Sequence, residues 1–106
     1  HPFFERRGDD IHVDVPVSLT EALLGAEIEV PTLEGKVSMT ISEETQNGRT
    51  FRLRGLGMPR PEGGRGDQFV RVKVVLPAAL TDQERRFFEE MRQRRRENPR
   101  ADRGLK

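Results

Sequence analysis

Apolar and polar side chains alternate in several short runs along the 106-residue chain. Between Asp9 and Val17, every second residue from Ile11 onward is a β-branched aliphatic one. This is the pattern of a strand with one buried face. Weaker runs of the same kind are found at 26–30, 37–41, 51–54 and 67–77. The last run is apolar on both faces at its ends, so we expect it at the centre of the sheet.

Two segments carry the signals of helices instead. Ser18 and Glu21 form a capping box, which predicts a short helix from about Leu19 that turns Leu19, Ala22 and Leu23 inward and ends at Gly25. Thr81 or Asp82 is placed to cap a second helix that runs to about Glu97, where Asn98-Pro99 ends it.

Proline, glycine and asparagine indicate how the strands are connected. Pro16 cannot donate to a ladder, so its strand should lie at an edge or stop pairing there. Asn47-Gly48 lies between two alternating runs and predicts a hairpin. The glycine-rich segment 55–66 predicts a loop between strands, because the helix start that a phosphate-binding loop needs does not follow it.

Together these elements predict a mainly β fold, a small sandwich-like domain with one short helix and a C-terminal helical arm. We expect the β-domain to span residues 1–79 and the helix to span residues 80–98. Residues 99–106 show no apolar pattern and are expected to form a disordered tail.

Charge is distributed unevenly along the chain. The net charge is +1, with 12 acidic and 10 basic residues in 1–81 and 6 acidic and 9 basic residues in 82–106. A nucleic-acid or acidic-partner binding function would therefore rest on the arginine-rich C-terminal helix alone. The chain has no tyrosine or tryptophan for base stacking, so we treat this function as the alternative.

Residues suited to catalysis or metal binding are scarce. Cysteine is absent, and His1 and His12 are the only histidines. Asp10 and Asp14 share the strand face of His12, but polar groups on the exposed side of a strand are ordinary. We expect no enzyme activity, no metal and no cofactor. No run is long enough to span a membrane, so a cytoplasmic location is expected, and the start at His1 without methionine suggests a fragment.

Phe87 and Phe88 are adjacent in the C-terminal helix. Adjacent residues lie about 100° apart around a helix, so the two rings cannot face one surface equally. Either one ring packs on the sheet and the other contacts a second chain, or the whole helix packs on another copy of the chain. In both cases two bulky aromatic residues on a terminal arm favour packing against another surface.

Several motifs, in order, resemble one family. They are Arg7-Gly-Asp-Asp-Ile-His-Val, Glu21-Ala-Leu-Leu-Gly, Glu29-Val-Pro-Thr-Leu-Glu-Gly, Gln46-Asn-Gly, Arg52-Leu-Arg-Gly-Leu-Gly-Met-Pro and Gly66-Asp67, followed by a strand that ends at Pro77. Over residues 1–95 the chain resembles the second C-terminal β-domain of DnaJ-type co-chaperones with the helix that follows it.

The resemblance implies a non-enzymatic role in protein folding. Members of the family bind unfolded polypeptide, deliver it to a DnaK-type chaperone and form homodimers through the C-terminal helix. Matched to this sequence, the dimer contacts fall on Phe87, Phe88 and Met91, with Leu80 at the hinge. The DnaK-type partner is expected to bind elsewhere in the parent protein. His1-Pro2-Phe3 is similar to the His-Pro-Asp motif of the J domain but lacks its aspartate.

A weaker implication concerns substrate. By analogy with the first β-domain of the family, the strand edge at 26–32 could accept an extended peptide by strand addition. The candidate contacts are Ile28, Val30 and Leu33, although residues in such an alternating pattern more often belong to the core.

Overall fold

A computed structural model describes residues 4–104 of the chain. The chain divides into two compact units, His1–Leu76 and Pro77–Lys106. The tripeptide His1-Pro2-Phe3 lies outside the described residues.

The first unit contains a four-stranded sheet, sheet A, in the order β1-β2-β6-β5. Its strands are β1 (Glu5–Arg7), β2 (Asp10–Ser18), β5 (Thr50–Leu53) and β6 (Gln68–Val75). β2 and β6 run parallel, from Ile11 opposite Gln68 to Ser18 opposite Val75, whereas β1 and β5 pair antiparallel to their neighbours. The predicted central strand is thus confirmed as β6, and β1 is a strand that the alternation did not indicate.

A second, two-stranded sheet, sheet B, packs on sheet A. It is the hairpin of β3 (Ala26–Thr32) and β4 (Gly35–Ile41), which pair antiparallel along their full length. The mainly β fold with two sheets confirms the prediction. The buried core joins side chains of both sheets to Ala22 of the short helix; its members are Val13, Val17, Ala22, Val30, Met39, Ile41, Val70 and Val72.

The short helix α1 (Leu19–Leu24) joins β2 to β3. Its capping box is present, with the Glu21 amide donating to Ser18 Oγ at 3.1 Å and the Ser18 amide donating to Glu21 Oε1 at 2.8 Å. Gly25 follows with φ +80° and lies close to the Ile41 carbonyl oxygen. Only Ala22 of α1 is buried, and Leu23 is 44% exposed rather than turned inward.

The hairpin predicted at Asn47-Gly48 is wrong. β4 and β5 belong to different sheets, and the hairpin of this region is β3–β4 instead. Asn47 Oδ1 accepts from the Val74 amide at 2.9 Å, and the Gly48 amide donates to the Val72 carbonyl at 2.9 Å. Asn47 and Gly48 therefore lie along β6, on the path by which the chain crosses from one sheet to the other.

The expectation for Pro16 is only partly met. β2 pairs with β6 through Pro16 without interruption, but its pairing with β1 covers Asp10–His12 alone. In the described part of the chain, Pro16 thus has a strand partner on one side only. This is where a residue without an N–H is tolerated.

The second unit contains the helix α2 (Asp82–Arg95), which begins at the N-cap Thr81 and ends at Arg96, and a single turn, α3 (Pro99–Asp102). A capping box joins Thr81 and Glu84. The domain boundaries at 79/80 and 98/99 stay predictions, as does the disorder of residues 99–106, where α3 gives four residues a helical backbone.

Candidate functional site

The first candidate site is the outer edge of β3. β3 pairs with β4 on one side, and within residues 4–104 no strand pairs with its other side. Proline is tolerated in a ladder where its missing N–H would face away from the partner strand. Pro31 lies opposite Lys36, and residues two apart in a strand share their orientation. The amides of Glu27 and Glu29 therefore face the unpaired edge.

The far end of this edge is already occupied. Gln68 is fully buried and its Nε2 donates to the Pro31 carbonyl at 2.8 Å. Thr32 Oγ1 donates to the Gly35 carbonyl at 2.6 Å, and the Glu34 amide donates to Thr32 Oγ1 at 3.2 Å, which fixes the hairpin turn. The open part of the edge is thus 26–30, shorter than the predicted 26–32.

The three candidate peptide contacts have different surroundings. Val30 is fully buried in the core, Ile28 is half-buried against it, and Leu33 is 38% exposed at the tip of the hairpin. Only Ile28 and Leu33 therefore present apolar surface. Leu24, which the sequence did not single out, is 73% exposed at the end of α1, two residues before β3 begins.

The second candidate site is the apolar stripe of α2, which we define as Phe87, Phe88 and Met91. No residue of α2 is buried. Phe87 is 59% exposed and packs edge-to-face on Phe88, with the ring centroids 5.5 Å apart, whereas Phe88, Met91 and Leu80 are half-buried. A large aromatic side chain left this exposed is typical of an interaction surface.

Two shallow grooves flank Met91 on this helix. One, of about 290 Å³, is lined by Phe87, Glu90, Met91, Arg94 and Arg95. The other, of about 280 Å³, is lined by Phe88, Met91, Arg92, Arg95, Arg96 and Glu97. Each groove is lined by two apolar side chains, by arginines and by one glutamate. The helix thus offers hydrophobic contact and positive charge on one surface.

The outer face of sheet A carries a third, polar groove. His12 stacks on Phe69 with ring centroids 5.0 Å apart, and Arg71 donates to both carboxylate oxygens of Asp14 at 2.9 Å. These hydrogen bonds lower the pKa of Asp14 below its usual value. Among residues 4–104 no group of three or more His, Asp or Glu side chains is placed to hold a metal ion. On this face Arg71 and Asp14 pair with each other, and His12 contacts the ring of Phe69.

The glycine-rich segment 55–66 is a tight structural loop. The Gly57 amide donates to the Gly66 carbonyl at 2.8 Å, the Gly66 amide donates to the Met58 carbonyl at 2.9 Å, and the Met58 amide donates to the Asp9 carbonyl at 2.8 Å. Asp67 next to it accepts from the Gly55 amide and from Arg52, and both bonds lower the Asp67 pKa. Because these backbone groups bond one another, the loop has no cradle for a phosphate.

Comparison with known families agrees with the motifs. The family model described as "DnaJ C terminal domain" matches residues 1–77. The chain belongs to the DnaJ C-terminal domain family. The arginine-rich alternative gains no support from this match.

Three relatives show how far the similarity to DnaJ proteins extends. Proteins named "Chaperone protein DnaJ" are 50% identical over 91 residues in Desulfitobacterium hafniense strain Y51, 53% over 91 residues in Opitutus terrae and 54% over 86 residues in Burkholderia thailandensis. The matches cover 85%, 85% and 80% of this chain. They cover 24%, 24% and 23% of the relatives, so this DnaJ C-terminal domain chain spans about a quarter of their length.

A helix that crosses a membrane must be both long and apolar. No helix among residues 4–104 of this DnaJ C-terminal domain chain is long and apolar enough to cross a membrane.

Proposed function

We propose that this chain forms the dimerisation and client-support part of a DnaJ-type co-chaperone, without enzymatic activity of its own. The observation that carries the proposal is the apolar stripe of α2, which remains on the surface of a chain that belongs to the DnaJ C-terminal domain family. In this proposal Phe87, Phe88 and Met91 pair two protomers, and Leu80 lies at the hinge before the helix.

The proposal assigns the parent protein a role in protein folding. The relatives are named chaperone proteins, and the stimulation of a DnaK-type ATPase would reside in segments other than these 106 residues. Pairing two protomers places two weak client sites on one particle, which raises the avidity for a long unfolded polypeptide through effective concentration. A cytoplasmic location and the absence of any cofactor belong to the same proposal.

The dimer is tested by sedimentation equilibrium of the chain and of its Phe87→Asp variant. A charge in the apolar stripe must be desolvated on pairing, so we expect the dimer dissociation constant to rise at least about 30-fold, or about 2 kcal/mol. Removal of residues 80–106 should leave a monomer at every concentration.

The matched control for Phe87→Asp is Gln93→Asp. Gln93 lies about 200° around the helix from Met91, so the same charge should leave the dissociation constant within about twofold. A chain that stays monomeric at high concentration, or a dimer that tolerates Phe87→Asp as well as Gln93→Asp, contradicts the assignment of α2 to dimerisation.

The open edge of β3 is the proposed client site. An extended polypeptide would pair with the outward amides of Glu27 and Glu29, while Ile28 and Leu33 supply apolar contact beside it. Val30 supports the strand from inside the core, since it is fully buried. Because backbone groups form these hydrogen bonds, the edge of β3 would accept many client sequences, as a chaperone requires.

Replacing Glu29 by proline removes one outward N–H from this edge. We expect the affinity for a fluorescent, permanently unfolded polypeptide to fall about fivefold, which corresponds to one hydrogen bond of about 1 kcal/mol. Fluorescence anisotropy with the folded variants measures this change.

The control for the edge is Glu29→Ala, which removes the same side chain but keeps the N–H. Equal losses of affinity in the two variants would show that the carboxylate matters and would refute strand addition at β3. Circular dichroism verifies that both variants keep their strands.

A further inference from the structure

The charges of α2 are ordered along its length. Residues 82–90 hold four acidic and two basic side chains, a net charge of −2, whereas residues 91–96 hold four basic ones and no acidic one, a net charge of +4. The helix face that contains the apolar stripe shows the same order, with an acidic residue before the stripe and a basic residue after it. Glu84 precedes the stripe by one turn and Arg95 follows it by one turn, so the four residues Glu84, Phe88, Met91 and Arg95 lie within about 60° of one another around the helix.

From this order we propose that α2 pairs antiparallel with α2 of a second copy. The inference rests on the proposed dimer and adds its geometry. An antiparallel pair places Phe88 of each copy against Met91 of the other, and Glu84 of each against Arg95 of the other. A parallel pair would put Glu84 against Glu84 and Arg95 against Arg95, where like charges repel.

The side chains at both ends are exposed and within reach of a partner. Glu84 Oε1 accepts from the Thr81 amide at 2.8 Å as part of the capping box. Its second oxygen can accept from a guanidinium of the other copy. Arg95 is bonded to both carboxylate oxygens of Glu97 at 2.9 and 3.0 Å, and it lines both grooves beside Met91. Its side chain therefore lies beside Met91, where the antiparallel pair brings Glu84 of the second copy.

These exposed ion pairs select the orientation, while the apolar stripe supplies most of the affinity. A surface ion pair contributes little to stability because solvent screens it. The pair occurs twice in a symmetric dimer, however, and the like-charge alternative is penalised twice. Glu89 lies about 160° around the helix from Met91, away from the pairing face, so its charge does not oppose the antiparallel arrangement.

Disulfide cross-linking of the full chain tests the orientation. The chain has no cysteine, so single cysteines report only the positions chosen. In an antiparallel pair, Glu84→Cys and Arg95→Cys chains mixed together should cross-link as a heterodimer. Glu84→Cys alone should not, because its two copies would lie about 16 Å apart along the helices, beyond the reach of a disulfide. Because of this distance, we expect the mixed chains to give at least about a fivefold higher yield of cross-linked dimer than Glu84→Cys alone.

Gln93→Cys on the far face of α2 is the matched control and sets the background from random collision. Efficient cross-linking of Glu84→Cys to itself would overturn the antiparallel orientation and leave the dimer standing. A dimer in which no α2 cysteine exceeds the Gln93→Cys background would overturn both the orientation and the α2 interface, and a monomeric chain would overturn the dimer as well.

Charge reversal gives a second, independent measurement. Glu84→Arg and Arg95→Glu should each raise the dimer dissociation constant about fivefold, and the double variant should return it to within about twofold, because the pair is re-formed with its signs exchanged. In a parallel pair like charges would face each other in all four proteins, so the double variant would restore nothing. Helix content from circular dichroism accounts for the lost cap in the Glu84→Arg chains.

Discussion

Replacing Gly66 by alanine is expected to lower the free energy of unfolding by more than about 3 kcal/mol. This is a large share of the total stability of a domain of this size. Gly66 is buried. A Cβ on it would overlap the Asp9 carbonyl oxygen and would lie 2.6 Å from the Asp9 carbonyl carbon. Both atoms are backbone, so no side chain can swing aside to relieve the overlap.

The same overlap breaks a hydrogen-bonded cluster. Three hydrogen bonds of 2.8 to 2.9 Å form this cluster. The Gly57 amide donates to the Gly66 carbonyl, the Gly66 amide to the Met58 carbonyl and the Met58 amide to the Asp9 carbonyl. If Asp9 and Gly66 moved apart to admit a methyl group, the hydrogen bonds that join the start of β2 to the loop before β6 would be stretched. Strain and lost hydrogen bonds thus add, and we expect Gly57→Ala, whose Cβ would lie 2.5 Å from the Asp9 oxygen, to behave similarly.

Urea unfolding followed by circular dichroism measures the effect, with Gly8→Ala as the control. Gly8 has φ +63°, and a Cβ added to it would meet no atom within 4 Å. Alanine there therefore bears only the cost of the left-handed backbone, about 1–2 kcal/mol. If Gly66→Ala costs no more than Gly8→Ala, the close approach of Asp9 is not what requires glycine at position 66.

The alternation of side chains predicted the strands well but not their partners. Val13, Val17, Val70 and Val72 are all buried, as the period of two requires, because burial of one face is a local property of the sequence. The partner of a strand is set by packing between distant segments. β2 and β6 are parallel neighbours although Ile11 and Gln68 are far apart in the chain, and no local signal encodes that pairing.

The wrong prediction of a hairpin at Asn47-Gly48 has the same origin. Asn-Gly is a strong turn signal, but the amides of Glu44 and Thr45 donate to the carbonyls of Leu23 and Ala22 at 3.0 and 2.8 Å. These bonds hold the segment after β4 against α1, away from a direct return along β4. Tertiary hydrogen bonding therefore overrode the local preference.

The candidate sites could be predicted only in part. Phe87 and Phe88 are recognisable in the sequence because two adjacent aromatic residues of a helix cannot both face one surface, and the exposure of Phe87 agrees with that signal. The limits of the β3 edge could not be predicted, because they depend on Gln68. In the sequence Gln68 is one polar residue at the start of an apolar strand, and nothing nearby indicates that it lies against Pro31.

Replacing Gln68 by glutamate is expected to cost more than about 3 kcal/mol at pH 7. Gln68 is shielded completely from solvent, and its Nε2 donates to the Pro31 carbonyl at 2.8 Å. This bond joins β6 of sheet A to β3 of sheet B. A carboxylate there would lose the donor, face the carbonyl oxygen with like partial charge and be buried without a counterion.

Two neutral variants separate the hydrogen bond from the volume. Gln68→Ala leaves the Pro31 carbonyl unpaired and opens a cavity, and should cost about 2–4 kcal/mol. Gln68→Leu also leaves the Pro31 carbonyl unpaired, but it fills that space and removes Gln68 Oε1, a buried oxygen with no partner among the described residues, so it should cost only about 1–2 kcal/mol. A Gln68→Leu chain as stable as the natural one in urea unfolding would contradict the hydrogen bond to Pro31 as the reason for glutamine here.

The Gln68→Glu variant also gives a pH signature. Burial raises the pKa of the introduced carboxyl in the folded state above the unfolded value of about 4.3, because the charged form is desolvated. The cost relative to the natural chain is therefore complete above the raised pKa and shrinks as the pH falls through it, where the protonated carboxyl can donate to the Pro31 carbonyl. Urea unfolding at about pH 5 and pH 7 should show a smaller difference at the lower pH. A cost that is equal at both would mean that the side chain has left the interface between the two sheets and ionises in water.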